Sequence, residues 1–166
     1  MAKANLTAQR VRELLRYDPE TGSFFRLVAA RKRPDTAGPV TAAGNKLGYI
    51  LISVDGRQYQ AHRLAFLWMT GRLPSQMIDH INGDGKDNRW TNLREASPRV
   101  NVQNQRAARA DNGLGLLGVY QNHKRFMARI TTHEKRNKYL GTFDTPEQAH
   151  EAYLAAKREY HEGCTI

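Results

Sequence analysis

Cysteine is almost missing from this chain: Cys164 is the only one among 166 residues, and it lies near the C-terminus. A single thiol closes no intramolecular disulfide, and paired Cys-x-x-Cys clusters are excluded, so no structural zinc is expected. Long apolar runs are missing too. Nothing reaches about 18 consecutive apolar residues, and the opening MAKANLTAQRVRELLRYD meets charge before any apolar signal core could form. We therefore expect a protein that makes no membrane contact, is not exported and works in the cytoplasm. Acidic residues are scarce: 16 Asp and Glu stand against 26 Lys and Arg, giving a net charge of +10 and an isoelectric point near 10.0. That surplus suits a polyanion, and with the membrane set aside the partner is nucleic acid. No long-period repeat or low-complexity tract is present, which argues against a solenoid.

What is present reads as a string of small α+β modules. In residues 1–60, Thr7 caps a helix whose Val11, Leu14 and Leu15 share a face, and Asp18-Pro19-Glu20-Thr21-Gly22 is a strong turn signal. Asp55-Gly56 between GYILISV and RQYQAH predicts a tight hairpin. Arg31, Lys32 and Arg33 are consecutive in a polar loop, either as a solvated run or as contacts to phosphate. Residues 61–107 open with HRLAFLWMTG, a helical spacing of Leu64, Leu67 and Trp68 with Gly71 as its C-terminal cap. A strand from Met77 to Ile81, a glycine-rich loop, a second strand around Leu93 and a helix from Ser97-Pro98 follow. Residues 113–163 offer three short strands, LGVYQ, RFMARITT and NKYLGTF, then a helix with Thr145 as N-cap, Pro146 in its first turn and Gln148 closing a capping box.

The stretch MIDHINGDGKDNRWTNLREASPRVNVQNQR carries the chemistry. Hydrolysing a phosphodiester near neutral pH needs a cation to neutralise developing charge, a base for the water proton, and donors that hold both in place. Asp79 is a hard oxygen ligand, His80 titrates near physiological pH, and Asn92, Asn101 and Asn104 add polar groups from the second strand and the helix. Neighbours on a flat strand point to opposite faces, so a bend at Asp79-His80 is expected if both are to reach one phosphate. A calcium loop counted from Asp84 fails, because Lys86 stands at a ligand position and Arg89 replaces the glycine of the sharp turn.

Singly these residues are weak signals; their register is not. DHINGDGKDNRWTNLREASPRVNVQNQ closely resembles the HNH nucleases of phage and homing-endonuclease type, over roughly residues 62–105. The resemblance implies a ββα-metal core, with Asp79 and Asn101 holding a divalent cation and His80 acting as general base. Asn92 is then expected to orient the loop and His80, with Asn104 and Arg94 as further active-site candidates. Asn101 stands where other branches carry histidine, which places the chain in the asparagine branch. An oxygen donor set favours magnesium first and manganese second. The resemblance also implies 5′-phosphate and 3′-hydroxyl ends, and one site per chain favours nicking by a monomer or weak dimer, with no protein partner signalled.

Residues 113–163 resemble an AP2-type DNA-binding domain, through GVY at 118–120, the RFMARI strand and above all YLGTFDTPEQAHEAY. Alternation puts Phe126, Ala128 and Ile130 toward the helix and Arg125, Met127, Arg129 and Thr131 on the other face. Tyr120, Asn122, Arg125, Arg129, Thr131, Lys138 and Tyr139 are the expected contacts to double-stranded DNA. Plant members of the family carry arginine or tryptophan at several of these positions, so their target preference does not transfer. The expected function is a metal-dependent DNA endonuclease. The competing expectations are a DNA-binding regulator with an inactive HNH core, and a protein that binds or cleaves RNA.

Overall fold

A computed structural model describes residues 6–27, 37–40, 44–45, 48–108, 111–132 and 136–166. The Arg31–Arg33 triplet lies outside the described residues. Contacts divide the chain into two compact units, Met1–Ala96 and Ser97–Ile166.

In the first unit, α1 (Ala8–Leu14) starts where the Thr7 hydroxyl accepts a hydrogen bond from Arg10 N at 3.2 Å. The helix is one residue shorter than its apolar spacing suggests. Leu15, with φ −134°, leaves it and opens β1 (Leu15–Tyr17), which pairs with β2 (Phe24–Arg26) across the Asp18–Gly22 turn. The side chain of Leu15 stays fully buried, so it keeps the burial of about 2 kcal/mol expected of a leucine while its backbone joins a ladder. β3 (Gly38–Pro39) adds an edge, the place in a sheet that tolerates proline. β4 (Leu51–Val54) and β5 (Arg57–Gln60) form the expected hairpin, with Asp55 and Gly56 both at positive φ. α2 (Ala61–Thr70) ends on Gly71 in the left-handed region.

β6 (Met77–His80) pairs antiparallel with β7 (Leu93–Ala96), placing Asp79 opposite Arg94 and His80 opposite Leu93. Ile78 and Leu93 anchor this hairpin in the same apolar core as Val11, Leu15, Tyr17, Phe24 and Leu64. The N-terminal segment and the β6–β7 hairpin therefore share one core, where the sequence suggested a division at residue 60.

The second unit begins with α3 (Pro98–Gln103), capped by the Ser97 hydroxyl accepting from Val100 N at 3.3 Å. β8 (Val119–Asn122), β9 (Arg125–Thr131) and β10 (Asn137–Phe143) form an antiparallel sheet with β9 central. α4 (Pro146–Tyr160), capped by Thr145, packs its Ala149, Tyr153 and Ala156 with Val119, Ala128 and Ile130. Gly118 at φ +70° lets the chain pass against Tyr153, since a Cβ there would lie 1.9 Å from the ring. Among the described residues no helix is long and apolar enough to cross a membrane.

Candidate active site

Asp79 and His80 occupy the last two rungs of the β6–β7 ladder and are 5 % and 4 % exposed. The expected bend at this pair is not there. The register is regular through both residues, and the turn starts after His80, whose carbonyl accepts from Gly83 N at 2.8 Å. A regular antiparallel ladder puts neighbours on opposite faces, so Asp79 lies on the face of Arg94 and His80 on the other. Arg94 donates from Nε and Nη2 to Asp79 Oδ2 at 2.9 and 2.8 Å, which fixes the carboxylate's direction.

The loop from Ile81 to Arg89 is held by Asn92. Its Oδ1 accepts from Asn82 N at 2.9 Å, and its Nδ2 donates to Asn82 Oδ1 at 2.9 Å and to Asp87 O at 2.8 Å. With both ends of the amide bonded to the loop, Asn92 closes a 3-10 turn (Trp90–Asn92) just ahead of β7, where the sequence put it on the strand. Asp84 caps the Lys86 amide at 2.9 Å and Asn82 caps that of Asp84 at 2.9 Å, as in ordinary polar turns. Asp87 is forked by Arg89, which holds its carboxyl down at about 2.

Three residues that the motif did not name surround His80, and a fourth, Tyr17, reaches it through Asn88. The Tyr49 ring stacks on it at a centroid distance of 5.9 Å, and the His62 ring stands perpendicular to it at 5.0 Å and 87°. Asn88 Oδ1 lies 3.3 Å from Nε2. Asn88 is 2 % exposed; its Nδ2 donates to Lys86 O at 3.0 Å, and its carbonyl accepts from the Tyr17 hydroxyl at 2.6 Å. Burial keeps His80 below the ordinary histidine range, with Asn88 and Asp79 opposing it, and burial followed by the charge of His80 takes His62 down to about 3. Both imidazoles are therefore neutral at neutral pH, the state a general base requires. His62 Nδ1 is buried and has no hydrogen-bond partner. In the sequence His62 is a residue in the first turn of a helix and Asn88 one of several loop asparagines; only the shared core reveals them.

Asn101 and Asn104 belong to the second unit. Asn101 is half-buried on α3, and Asn104 is buried at its C-cap, accepting from the Thr165 hydroxyl at 2.7 Å. On the sheet, Tyr120 and Tyr139 are 53 % and 57 % exposed, and Asn122, Arg125, Arg129 and Thr131 are exposed as well. Tyr139 is directly opposite Arg129. Arg125 pairs with Asp144 at 2.9 Å. Lys138 does not join this face: it sits opposite Ile130, and its ammonium lies 4.4 Å above the ring centroid of Tyr160 on α4. Among the described residues no group of three or more His, Cys, Asp or Glu is placed to hold a metal. A carboxylate with asparagine amides is a donor set of another kind.

Comparison with the curated proteins gives no match. The solved structure of "DNA binding and cleavage by the HNH homing endonuclease I-HmuI" is similar at 19% sequence identity and a TM-score of 0.43, covering 90% of this chain and 88% of that one. That similarity is too low to fix any residue's role. Residues 59–103 match the family model HNH_3, described as HNH endonuclease, and so enclose Asp79, His80, Asn92 and Asn101. This stretch is an HNH endonuclease domain, which makes the chain that carries it a hydrolase of phosphodiester bonds.

Proposed function

We propose that the protein is a metal-dependent DNA endonuclease in which His80 takes the proton of the attacking water. Asp79 and Asn101 would hold a divalent cation, magnesium in preference to manganese. The observation that carries this reading is a buried, neutral imidazole adjacent in the chain to a buried carboxylate, at the end of one strand and inside the HNH match.

The residues suit such a cation. One carboxylate and one amide carbonyl are hard oxygen donors that leave coordination positions for phosphate and water, and the sulfur-rich set preferred by structural zinc is lacking. When bound, the cation supplies charge neutralisation at the phosphate. The chain's own residues do the rest. Arg94 holds the Asp79 carboxylate in one direction, Asn92 keeps the loop after His80 in shape, and burial holds the imidazole neutral. A phosphate set across the open end of the hairpin could be approached from both faces, which suits a ladder that sends Asp79 and His80 to opposite sides.

The exposed β8–β10 face, with Tyr120, Asn122, Arg125, Arg129, Thr131 and Tyr139, would hold duplex DNA in the manner of an AP2-type sheet. One active site per chain supports nicking. Supercoiled plasmid incubated with magnesium tests the whole reading. Relaxation to the open circle is expected in the parent and not in chelator or in His80→Ala, and undiminished relaxation by His80→Ala would overturn the base. Competition by structured RNA stronger than that by duplex DNA would overturn the substrate.

A further inference from the structure

We propose that Asn88, held from behind by Tyr17 of the N-terminal segment, is a positioning residue that fixes His80 as its Nε2–H tautomer and so puts the accepting lone pair on Nδ1. The inference rests on the reading of His80 as the base, and it adds the atom that does the work and the part of the chain that selects it.

The argument starts from the Asn88 amide. Its nitrogen faces the carbonyl of Lys86 at 3.0 Å, and a carbonyl can only accept. The other end of the amide, directed at His80 Nε2 from 3.3 Å, is therefore the oxygen. An amide oxygen can only accept in turn, so the neutral imidazole must carry its proton on Nε2. Asn88 is 2 % exposed, so no bulk water competes for that oxygen.

Asn88 is itself clamped by residues far away in sequence. The Tyr17 hydroxyl donates to its backbone carbonyl at 2.6 Å, and Trp90 N donates to Pro19 O at 2.9 Å. Burial pushes the Tyr17 phenol up, which keeps it a donor. Gly22, at φ +72°, lies so close that a Cβ there would fall 2.5 Å from Asn88 C and Arg89 N. The turn at residues 18–22 thus presses on the backbone that carries Asn88. The N-terminal segment, from which the sequence offered only Arg31–Arg33 as candidate phosphate contacts, supports the catalytic loop from behind.

The test is the tautomer, read from the two-bond proton–nitrogen correlations of the His80 ring in metal-free full-length protein, at a pH where the ring is neutral. The parent should show Nε2–H alone. Asn88→Leu, similar in size but without an acceptor, should show a mixed or reversed pattern, while Asn88→Asp, which keeps the oxygen, should retain Nε2–H. Tyr17→Phe should broaden the pattern without changing the fold. Loop cleavage chemistry follows, with the Asn88→Leu nicking rate falling roughly 10- to 100-fold, as orienting partners commonly cost. An Nδ1–H pattern in the parent overturns the proposal even if no variant folds, and so does an unchanged pattern in Asn88→Leu. Cleavage surviving His80→Ala would instead remove the base reading and leave the tautomer result standing, so the two failures are distinguishable.

Discussion

Arg94 lies directly opposite Asp79 on the β6–β7 ladder and directs both Nε and Nη2 to the same carboxylate oxygen, at 2.9 and 2.8 Å. The Asp79 side chain is 6% exposed and that of Arg94 28%. An exposed ion pair contributes at most about 1 kcal/mol, but a hydrogen bond to a buried charge contributes about 1.5–3 kcal/mol. Arg94→Leu should therefore destabilise the fold by about 2–3 kcal/mol, through a carboxylate left without its guanidinium. Magnesium should recover part of that loss, raising the melting temperature of the variant more than that of the parent. Thermal unfolding with and without magnesium checks this, and equal shifts in the two proteins would mean that Asp79 is not a cation ligand.

Asn92 makes three hydrogen bonds to the loop and is 7 % exposed. Asn92→Ala leaves the Asn82 amide and the Asp87 carbonyl without these partners, while Asn82 Oδ1 keeps the Asp84 amide, at a cost of about 2–4 kcal/mol. Asn92→Asp keeps the acceptor for Asn82 N and loses both donors, so it should fall between parent and alanine. Urea unfolding gives the order of the three, and hydrogen exchange at the Asn82 amide locates the change. Exchange accelerated throughout the chain with no excess at Asn82 would contradict a local role for Asn92.

The site was half legible in the sequence, and the division has a physical cause. Asp79, His80 and Asn92 are read from spacing because a strand, a tight loop and a second strand set their separations within one contiguous stretch. Thr7, Thr145, Gly71 and Asp55-Gly56 were legible for a similar reason: caps and turns are local chemistry. Leu15 was misplaced because burial is all that periodicity reports, and a buried leucine satisfies a helix face and a strand face equally. Tyr17, Tyr49, His62 and Asn88 were illegible as a group. Tyr17 and Asn88 stand 71 residues apart and meet only in the folded core. Lys138 was misjudged from charge alone, although alternation from Ile130 already directs it to the helix side.

His62 makes the fold sensitive to acid. Its folded value is held down at about 3, first by burial and then by the charge of His80, against 6.5 for an ordinary histidine. Below about pH 6.5 the unfolded chain takes up a proton that the folded one refuses until the pH approaches 3, so stability falls across that window and is unaffected above it. One proton gives a slope of about 1.4 kcal/mol per pH unit. His62→Phe keeps a ring against Tyr49 and His80 and should remove that slope, while the carboxylates that titrate lower down remain in both proteins. Denaturant unfolding of parent and variant through this range isolates the difference, and parallel curves would show that His62 is not buried neutral.

Arg129 and Lys138 are two basic residues nine apart in sequence on neighbouring strands, and they should behave oppositely toward DNA. Arg129 is exposed and faces Tyr139, whereas the Lys138 ammonium bonds the Tyr160 hydroxyl at 2.5 Å and lies over its ring. A cation that neutralises one phosphate contributes about 0.9 to the slope of log affinity against log salt. Arg129→Ala should weaken duplex binding and lower that slope by about 1, and Lys138→Ala should leave the slope where it was. Titrations of a short duplex at several salt concentrations separate the outcomes. Equal losses from both variants would mean that only overall charge attracts the duplex. A loss confined to Arg129 identifies the β8–β10 face as the surface that meets the phosphates, because the two substitutions remove the same charge and differ only in the side of the sheet from which they remove it.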